Sequence, residues 1–368
     1  MAKAIGVGII GIQPDRSWGA IAHVPALRLL PDQYRIEAVS TTRIESARAA
    51  AEHYDIPRHF ASVEDLCACD AVDLVAVTVK VPAHLALVRT ALAAGKHVYC
   101  EWPLGNGLDE AIEMADAARA AGVVATCGMQ ARFAPELAYA RDLIADGYVG
   151  EVLSATLIGN GGVWGPVVPP ADAYNADVTN GATMLTIPLG HTLDGVAQIL
   201  GDLVQVSARL GNRRTEQLVL GENRTVPLTA PDQIMLHGVL KGGALLSVHY
   251  RGGMPAGTGF LLEINGTAGD LQISGPVGHA QLADLQISGA RSGEALAPLS
   301  VPAKYSGDAD LPAVIGNVYR SYRQLANDIA TGSRLAPSFD AAVARHRMIA
   351  AIEASAAAGG RSIDITDG

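Results

Sequence analysis

The sequence predicts an α/β protein with two domains. The first is expected to hold a parallel sheet covered by helices, and the second to be an α+β domain with an open, mostly antiparallel sheet. The first third of the chain alternates short apolar runs with segments of helical periodicity, whereas most later strand-like runs follow one another across Gly-rich turns. A length of 368 residues is typical of two domains. We therefore expect one domain over 1–126 and another over 127–368.

Strands and helices alternate in the first domain. Apolar runs indicate strands at 6–12, 36–40, 74–79, 97–100 and 123–127. Helical periodicity indicates helices between them, at about 20–30, 44–54, 83–94 and 109–121. Because strands that alternate with helices join through right-handed crossovers, a parallel sheet covered on both faces is predicted.

The pattern changes in the second domain. A helix over 135–146 is followed by strand-like runs at 152–158, 204–210, 233–240, 245–250, 260–264, 271–273 and 281–287. Helical periodicity returns at 184–200, 314–331 and 341–357. If one side of this sheet is open, apolar residues such as Leu245, Val248 and Leu262 favour a homodimer or homotetramer through its outer face.

Composition narrows the class of partner. A net charge of −10 without Lys/Arg clusters argues against a nucleic-acid surface. The first apolar run, 4–12, is far shorter than a membrane span, and the polar residues 13–16 that follow it argue against a secretory signal. The pair Cys67 and Cys69 lacks the spacing and partners of a zinc site. We expect a cytoplasmic protein with no metal, no membrane contact and no nucleic-acid partner.

The first predicted loop has features of a phosphate-binding turn. The match of residues 6–11 to G-x-G-x-x-G is misleading, because most of these residues form the strand itself. The loop begins at Gly11 and runs through Ser17 and Trp18 to the helix, so that hydroxyl and backbone N–H groups could hold phosphate oxygens. The alternative is a simple turn between a strand and a helix.

The end of the second predicted strand favours NADP(H) over NAD(H). Sites selective for NAD place an acidic residue there to bind the ribose hydroxyls, whereas this chain continues with Thr41, Thr42 and Arg43. Arg43 could pair with a 2′-phosphate that a carboxylate would repel. The alternative is that Arg43 is a solvated residue at the start of a helix.

Several short motifs then follow in a characteristic order. They are Lys80-Val81-Pro82 before His84, Glu101-Trp102-Pro103, 128–133, 159–162, Gly190-His191-Thr192-Leu193-Asp194 and 266–271. In this order and spacing the chain resembles the Gfo/Idh/MocA oxidoreductase family over nearly its full length. It is most similar to a branch that contains a non-enzymatic NAD(P)-binding repressor of a sugar regulon. The resemblance implies an N-terminal Rossmann dinucleotide-binding domain and a C-terminal domain for substrate binding and oligomerisation.

The family's catalytic set carries over only in part. Its lysine is replaced by Trp102 and its aspartate by Ile187, while its histidine is retained as His191. Lys80, partly desolvated beside the nicotinamide, could serve as acid or base; alternatively it only positions the cofactor. We expect Lys80 and His191 to share the missing chemistry.

The resemblance implies further binding residues. Val79, Glu101, Trp102 and Gln130 fall where the family contacts its cofactor. Trp164 is either a wall of the substrate pocket or a packed aromatic residue.

Together these features favour an NADP(H)-dependent oxidoreductase that moves a hydride to or from a carbohydrate-like hydroxyl or carbonyl. Its partner would be a small sugar- or polyol-like substrate. Two alternatives stay open. One is a non-catalytic NAD(P)-binding regulator or sensor, and the other is a redox-neutral lyase or hydrolase that keeps its nucleotide tightly bound.

Overall fold

The computed structural model describes residues 3–307 and 311–366. The chain divides into two compact units. The first comprises Met1–Met129 with Val314–Val343, and the second comprises Gln130–Ala313 with Ala344–Gly368.

The first unit is built on a six-stranded parallel sheet with strand order β3-β2-β1-β4-β5-β6. Its strands are β1 (Ile5–Ile10), β2 (Tyr34–Ser40), β3 (Arg58–Phe60), β4 (Leu74–Val77), β5 (His97–Glu101) and β6 (Ala125–Gly128). Its first helices are α1 (Val24–Arg28), which continues a π-helical turn over Gly19–His23, then α2 (Ile44–His53), α3 (Val63–Ala68), α4 (His84–Ala93) and α5 (Leu108–Ala121). The chain runs outward from β1 to β3 and returns to the other side of β1 at β4. The carboxyl ends of β1 and β4 therefore form the switch point at which such sheets bind ligands.

The predicted parallel sheet is confirmed, although β3 and α3 were not predicted. β3 has three residues and α3 has six, which is too short for a periodic signal. The predicted strand 6–12 ends early, at Ile10, because Gly11 has a φ of 98° and turns the chain out of the sheet.

The second unit contains a nine-stranded sheet with the order β17-β16-β15-β14-β7-β13-β12-β9-β18, and a three-stranded sheet with the order β11-β10-β8. Its strands are β7 (Val152–Gly161), β8 (Val167–Val168), β9 (Leu203–Gly211), β10 (Glu216–Val219), β11 (Thr225–Pro227), β12 (Gln233–Leu240), β13 (Leu245–Gly252), β14 (Phe260–Gly266), β15 (Gly269–Gly275), β16 (Gln286–Arg291), β17 (Ala297–Pro298) and β18 (Ile363–Asp364). Its helices include α6 (Pro135–Ala145), α7 (Gly190–Leu200) and α8 (Ala303–Ser306). In the large sheet every neighbouring pair is antiparallel except β13 with β7, which confirms a mostly antiparallel sheet.

Two expectations for the second unit need correction. Val248 and Leu262 point into the core and are 4% and 0% exposed, so of the three residues expected on the outer face only Leu245 lies there, with 60% exposed. Side chains alternate across the strands, and Val248 shares its face with the buried Leu246 and Tyr250. The strand predicted over 281–287 begins only at Gln286, because residues 279–283 form a turn closed by the Ala283 amide on the His279 carbonyl.

Two long helices lie between β17 and β18 along the chain, α9 (Ala313–Thr331) and α10 (Phe339–Ala357). We expected the first domain to be continuous and everything after residue 126 to belong to the second. Instead, α9 buries Val318, Tyr322 and Leu325 in the same apolar cluster as Val7 and Leu74 of the parallel sheet. The first unit is thus completed by residues from near the end of the chain, which local sequence pattern does not reveal.

Candidate functional site

A cavity of about 760 Å³ opens at the carboxyl edge of the parallel sheet in the first unit. It is lined by loops that follow β1, β2 and β4 and by the starts of α2 and α3. The lining residues are 10–14, 40–43, 46, 49, 61–64, 79, 80, 83 and 87. The structure thus brings together Gly11, Thr41, Thr42, Arg43 and the Val79–Lys80 pair, all of which the sequence marked as cofactor-binding residues.

The first loop is shaped by a glycine and closed by a serine. A Cβ on Gly11 would lie 2.4 Å from Cγ1 of Val79, so only glycine lets the backbone pass this close to the loop after β4. The Ser17 hydroxyl accepts a hydrogen bond from the Gln13 amide at 2.8 Å, and the Ser17 amide donates to the Gln13 carbonyl. Ser17 and Trp18 do not belong to the cavity lining. Ser17 closes the loop, and Trp18 packs on the apolar core of the unit.

Hydroxyl groups order the β2 side of the cavity. The Thr41 and Ser46 hydroxyls both donate to the Arg43 carbonyl at 2.9 Å, and they lie 2.6 Å from each other. This fixes the backbone at the start of α2 while the Arg43 side chain is exposed at the cavity. Ser46 and Glu64 also line the cavity but were not predicted, since their place depends on α2 and the unpredicted α3.

Lys80 lies at the mouth of the same cavity, where β4 has ended. We expected it to be partly desolvated, but the residue is exposed. The physical reason is that it precedes a short 3-10 turn, Val81–Ala83, on the open edge of the sheet. An exposed ammonium at this edge could pair with phosphate or ribose oxygens.

The end of β5 is closed by buried side chains. Glu101 is 7% exposed and Trp102 is 5% exposed, so the indole is packed into the protein at the position of the family's lysine. The Glu101 carboxylate lies 2.8 Å from Nε2 of His23. The buried His84 ring lies 3.0 Å from the carbonyls of Val79 and Pro103, which ties the loop after β4 to the loop after β5.

The second unit places His191 and Trp164 in buried positions. His191 is 4% exposed, and burial, with a smaller contribution from His279, lowers its pKa to about 3. Trp164 is 1% exposed, donates from Nε1 to the Asn175 carbonyl at 3.0 Å, and stacks on His279 at a centroid distance of 6.5 Å. These contacts favour the packed-aromatic alternative for Trp164. His279 itself was not predicted, because it belongs to no motif and lies just before a segment that was expected to be a strand.

An ion pair anchors the helix that carries His191. Nε and Nη2 of Arg132 donate to the two carboxylate oxygens of Asp194 at 2.6 and 2.7 Å. Asp194 is 1% exposed, and Nε of Arg345 lies 3.8 Å from it. Gln130, the remaining expected cofactor contact, is 1% exposed in a short 3-10 turn over Gln130–Phe133 that also carries Arg132.

Within residues 3–307 and 311–366, no cluster of three or more His, Cys, Asp or Glu side chains could hold a metal ion. In the same part of the chain, no helix is both long enough and apolar enough to cross a membrane.

Two family models match the chain. Residues 5–129 match the Gfo/Idh/MocA model, described as an oxidoreductase family with an NAD-binding Rossmann fold. Residues 135–275 match the model of the Gal80p C-terminal domain. The family resemblance and the Rossmann dinucleotide-binding fold inferred from the sequence motifs are therefore confirmed.

Known relatives include both a regulator and a dehydrogenase. The galactose/lactose metabolism regulatory protein GAL80 of Saccharomyces cerevisiae is 28% identical over 303 residues, which cover 77% of this chain and 69% of that protein. The dehydrogenase aclE of Aspergillus oryzae is 36% identical over 214 residues, which cover 56% of this chain and 58% of that protein. A crystal structure of a super-repressor mutant of Gal80p from Saccharomyces cerevisiae matches with a TM-score of 0.90 at 26% identity, over 99% of this chain and 98% of that chain.

Proposed function

Since this chain belongs to the Gfo/Idh/MocA oxidoreductase family and has a C-terminal domain of the Gal80p type, we propose that it is an NADP(H)-dependent oxidoreductase. It would move a hydride to or from a carbohydrate-like hydroxyl or carbonyl of a small sugar or polyol. The observation that carries the proposal is the cavity at the carboxyl edge of the parallel sheet, where β2 ends without an acidic residue and Arg43 lines the cavity three residues later.

The residues of this cavity fit a dinucleotide. Gly11 lets the loop after β1 lie against the loop after β4, because the place of its missing Cβ is 2.4 Å from Cγ1 of Val79, and both loops line the cavity. Arg43 and the hydroxyls of Thr41 and Thr42 would hold a 2′-phosphate. Lys80 adds a second positive charge at the mouth of the cavity, and Glu64 is the acidic side chain in the lining. The cationic side chains therefore outnumber the acidic one where an anionic ligand is expected.

When bound, the nicotinamide supplies a carbon that accepts or gives a hydride. We assign substrate recognition to the second unit and a hydroxyl-binding role to His191. With a pKa of about 3, this imidazole is neutral near pH 7, so it can donate or accept a hydrogen bond but does not hold an extra proton. Because Lys80 is exposed and His191 is uncharged, the earlier expectation that they share the proton transfer is replaced by binding roles for both.

Cofactor preference is tested by calorimetric titration of NADPH and NADH. Arg43→Ala should weaken NADPH binding about tenfold to a hundredfold, the range expected for losing a charge-assisted phosphate contact, and leave NADH within about twofold. Arg48→Ala is the matched control, since Arg48 is exposed on α2, which begins directly after Arg43, but does not line the cavity. Tighter binding of NADH by the unaltered protein, or equal effects of the two substitutions, would contradict the preference.

Catalysis is tested by adding NADP⁺ or NADPH to the protein with a panel of sugars, polyols and their ketones, and following absorbance of the reduced nicotinamide. Turnover on any member supports the oxidoreductase. If a substrate is converted while the absorbance returns to its starting value, the redox-neutral lyase or hydrolase replaces the oxidoreductase as the proposed function.

The second candidate function is a nucleotide-binding regulator that acts on another protein. The specific observation in its favour is the buried indole of Trp102 at the position of the family's lysine. The name of the GAL80 relative points the same way. Binding of nucleotide without turnover on any substrate would favour this function.

A further inference from the structure

Three buried side chains link the end of β5 to helix α9 within the first unit. Nε2 of His23 lies 2.8 Å from Oε1 of Glu101, and Nδ1 of His23 lies 2.8 Å from the hydroxyl of Tyr322. His23 and Tyr322 are fully buried, whereas the Glu101 side chain keeps 10% of its surface exposed. We call these residues the Glu101–His23–Tyr322 triad.

The carboxylate sets the direction of both hydrogen bonds. Because a carboxylate only accepts, the bond to Oε1 of Glu101 requires a ring proton on Nε2 of His23. In the tautomer that carries its proton there, Nδ1 accepts from the hydroxyl of Tyr322, which keeps its proton because burial raises its pKa well above the usual value. The rings of Trp18, Tyr99 and Tyr322 meet His23 edge-on at centroid distances of 6.3, 5.2 and 5.6 Å, which holds the imidazole in this orientation.

Glu101 and Arg43 lie at the same edge of the parallel sheet but on opposite sides of its central strands. Arg43 follows β2, whereas Glu101 is the last residue of β5, and β1 and β4 lie between these strands in the sheet. A dinucleotide crosses such a sheet outside the carboxyl ends of its strands. With the adenosine phosphate at Arg43, the reacting end of the cofactor falls towards β4 and β5. Glu101, the last residue of β5, carries a carboxylate at this end of the sheet edge.

We propose that Glu101 accepts and returns the proton of the substrate hydroxyl, and that His23 and Tyr322 are positioning residues that aim its carboxylate. This inference rests on the proposed oxidoreductase function. In the oxidation direction, the substrate O–H bond breaks and its proton passes to a carboxylate oxygen of Glu101. The C–H bond of the same carbon breaks, its electron pair leaves with the hydrogen as hydride to NADP⁺, and the C=O bond forms. Reduction reverses each transfer.

The titratable groups around the triad do not compete for this proton. Burial raises the pKa of Tyr34 on β2 and of Cys100 on β5, so both stay protonated and neutral. Burial also lowers the pKa of His84 on α4, which favours its neutral form. A pH-dependent step in turnover that disappears with Glu101 can thus be assigned to the triad.

Two independent measurements test the triad. In the protein without nucleotide, ¹⁵N NMR of labelled histidine should show His23 as the neutral tautomer with its proton on Nε2. The His23→Gln spectrum identifies its signals among the 10 histidines. In kinetics with NADPH, Glu101→Gln should lower kcat about a hundredfold and remove one limb of its pH profile, and Tyr322→Phe should lower kcat at least about tenfold. NADPH affinity should stay within twofold in both variants.

Tyr34→Phe is the matched control. Its hydroxyl is equally buried in the same aromatic cluster, but it donates to the Tyr322 carbonyl and takes no part in the triad. It should leave kcat and the His23 tautomer unchanged. A His23 proton on Nδ1 would overturn the inference. The inference also fails if Glu101→Gln and Tyr322→Phe lose no more turnover than Tyr34→Phe, or if they lose NADPH affinity instead of turnover. Such a failure leaves the oxidoreductase function standing, whereas an unaltered protein that binds NADPH but turns over no substrate refutes both.

Discussion

Replacing Gly11 with Ala should both destabilise the first unit and close its nucleotide cavity. The φ of 98° is a conformation that residues with a Cβ rarely adopt, which costs about 1–2 kcal/mol. In addition, the new Cβ would lie 2.4 Å from Cγ1 of Val79. Because carbon atoms prefer separations of about 3.5–4.0 Å, the loop after β4 must move away by roughly an ångström. Overpacking of this kind costs about 1–3 kcal/mol more.

The assay combines urea unfolding with calorimetric titration of NADPH. Gly122→Ala is a control for the backbone cost alone. Gly122 also has a positive φ, 67°, and no described heavy atom lies within 4 Å of the place of its Cβ. Gly122→Ala should lower the free energy of unfolding by about 1 kcal/mol without changing NADPH affinity. Gly11→Ala should lower the free energy of unfolding by about 2–5 kcal/mol and weaken NADPH binding at least about tenfold.

The reasoning is refuted if Gly11→Ala destabilises the protein no more than Gly122→Ala does. It is also refuted if NADPH binds both variants equally well. The first result would mean that the loop after β4 gives way at no cost, and the second that the backbone near Gly11 does not face the nucleotide.

Three other predictions concern the second unit. Asp194→Asn should lower the free energy of unfolding by about 3–5 kcal/mol, because two guanidinium groups lose their buried carboxylate; a loss under 1 kcal/mol in urea unfolding would contradict this. His191 is neutral in the native state down to a pKa of about 3 but takes up a proton near pH 6.5 when unfolded, so the unfolded state binds more protons between these values and stability should fall as pH falls from 6.5. His191→Asn should make the free energy of unfolding depend less on pH in this range, and His279→Asn should do the same above pH 4. Urea unfolding at several pH values measures this dependence, and an unchanged dependence in both variants would contradict the prediction. Leu245 and Met235 are 60% and 56% exposed on the outer face of the large sheet, and we expect them to form the interface of a homodimer or homotetramer. The double substitution Leu245→Lys with Met235→Lys should convert this assembly to a monomer. Light scattering that shows the unaltered protein as a monomer at micromolar concentration would exclude the assembly.

The parts of the fold that could be predicted are those with a repeated local signal. Alternating apolar runs and helical periods predict the parallel order of the first unit, and the one-in-two pattern of strands such as β12 predicts an open sheet. Short elements such as β3 carry too few residues for any period. The place of α9 could not be predicted either, because its apolar stripe shows that the helix is buried but not which sheet it packs against.

The candidate site also contains residues that local pattern predicts and residues that depend on distant parts of the chain. The place of Gly11 and Arg43 at the cavity could be predicted because a dinucleotide loop and the end of its second strand have fixed positions relative to the first strands. His23 could not, because its role depends on Glu101 and Tyr322, which are 78 and 299 residues away along the chain. Lys80 lines the cavity, but its expected partial desolvation is wrong, since solvent exposure at a sheet edge depends on neighbouring loops.

The return of α9 to the parallel sheet determines when the first unit can finish folding during synthesis. The apolar groove that receives Val318, Tyr322 and Leu325 is exposed to solvent while the ribosome translates the large sheet from β7 to β17. The N-terminal segment must therefore wait in a partly folded form, open to chaperones and to premature association, until α9 emerges. For the same reason, a fragment that stops at Met129 should expose this groove and aggregate, whereas adding residues 314–343 in trans should restore its solubility.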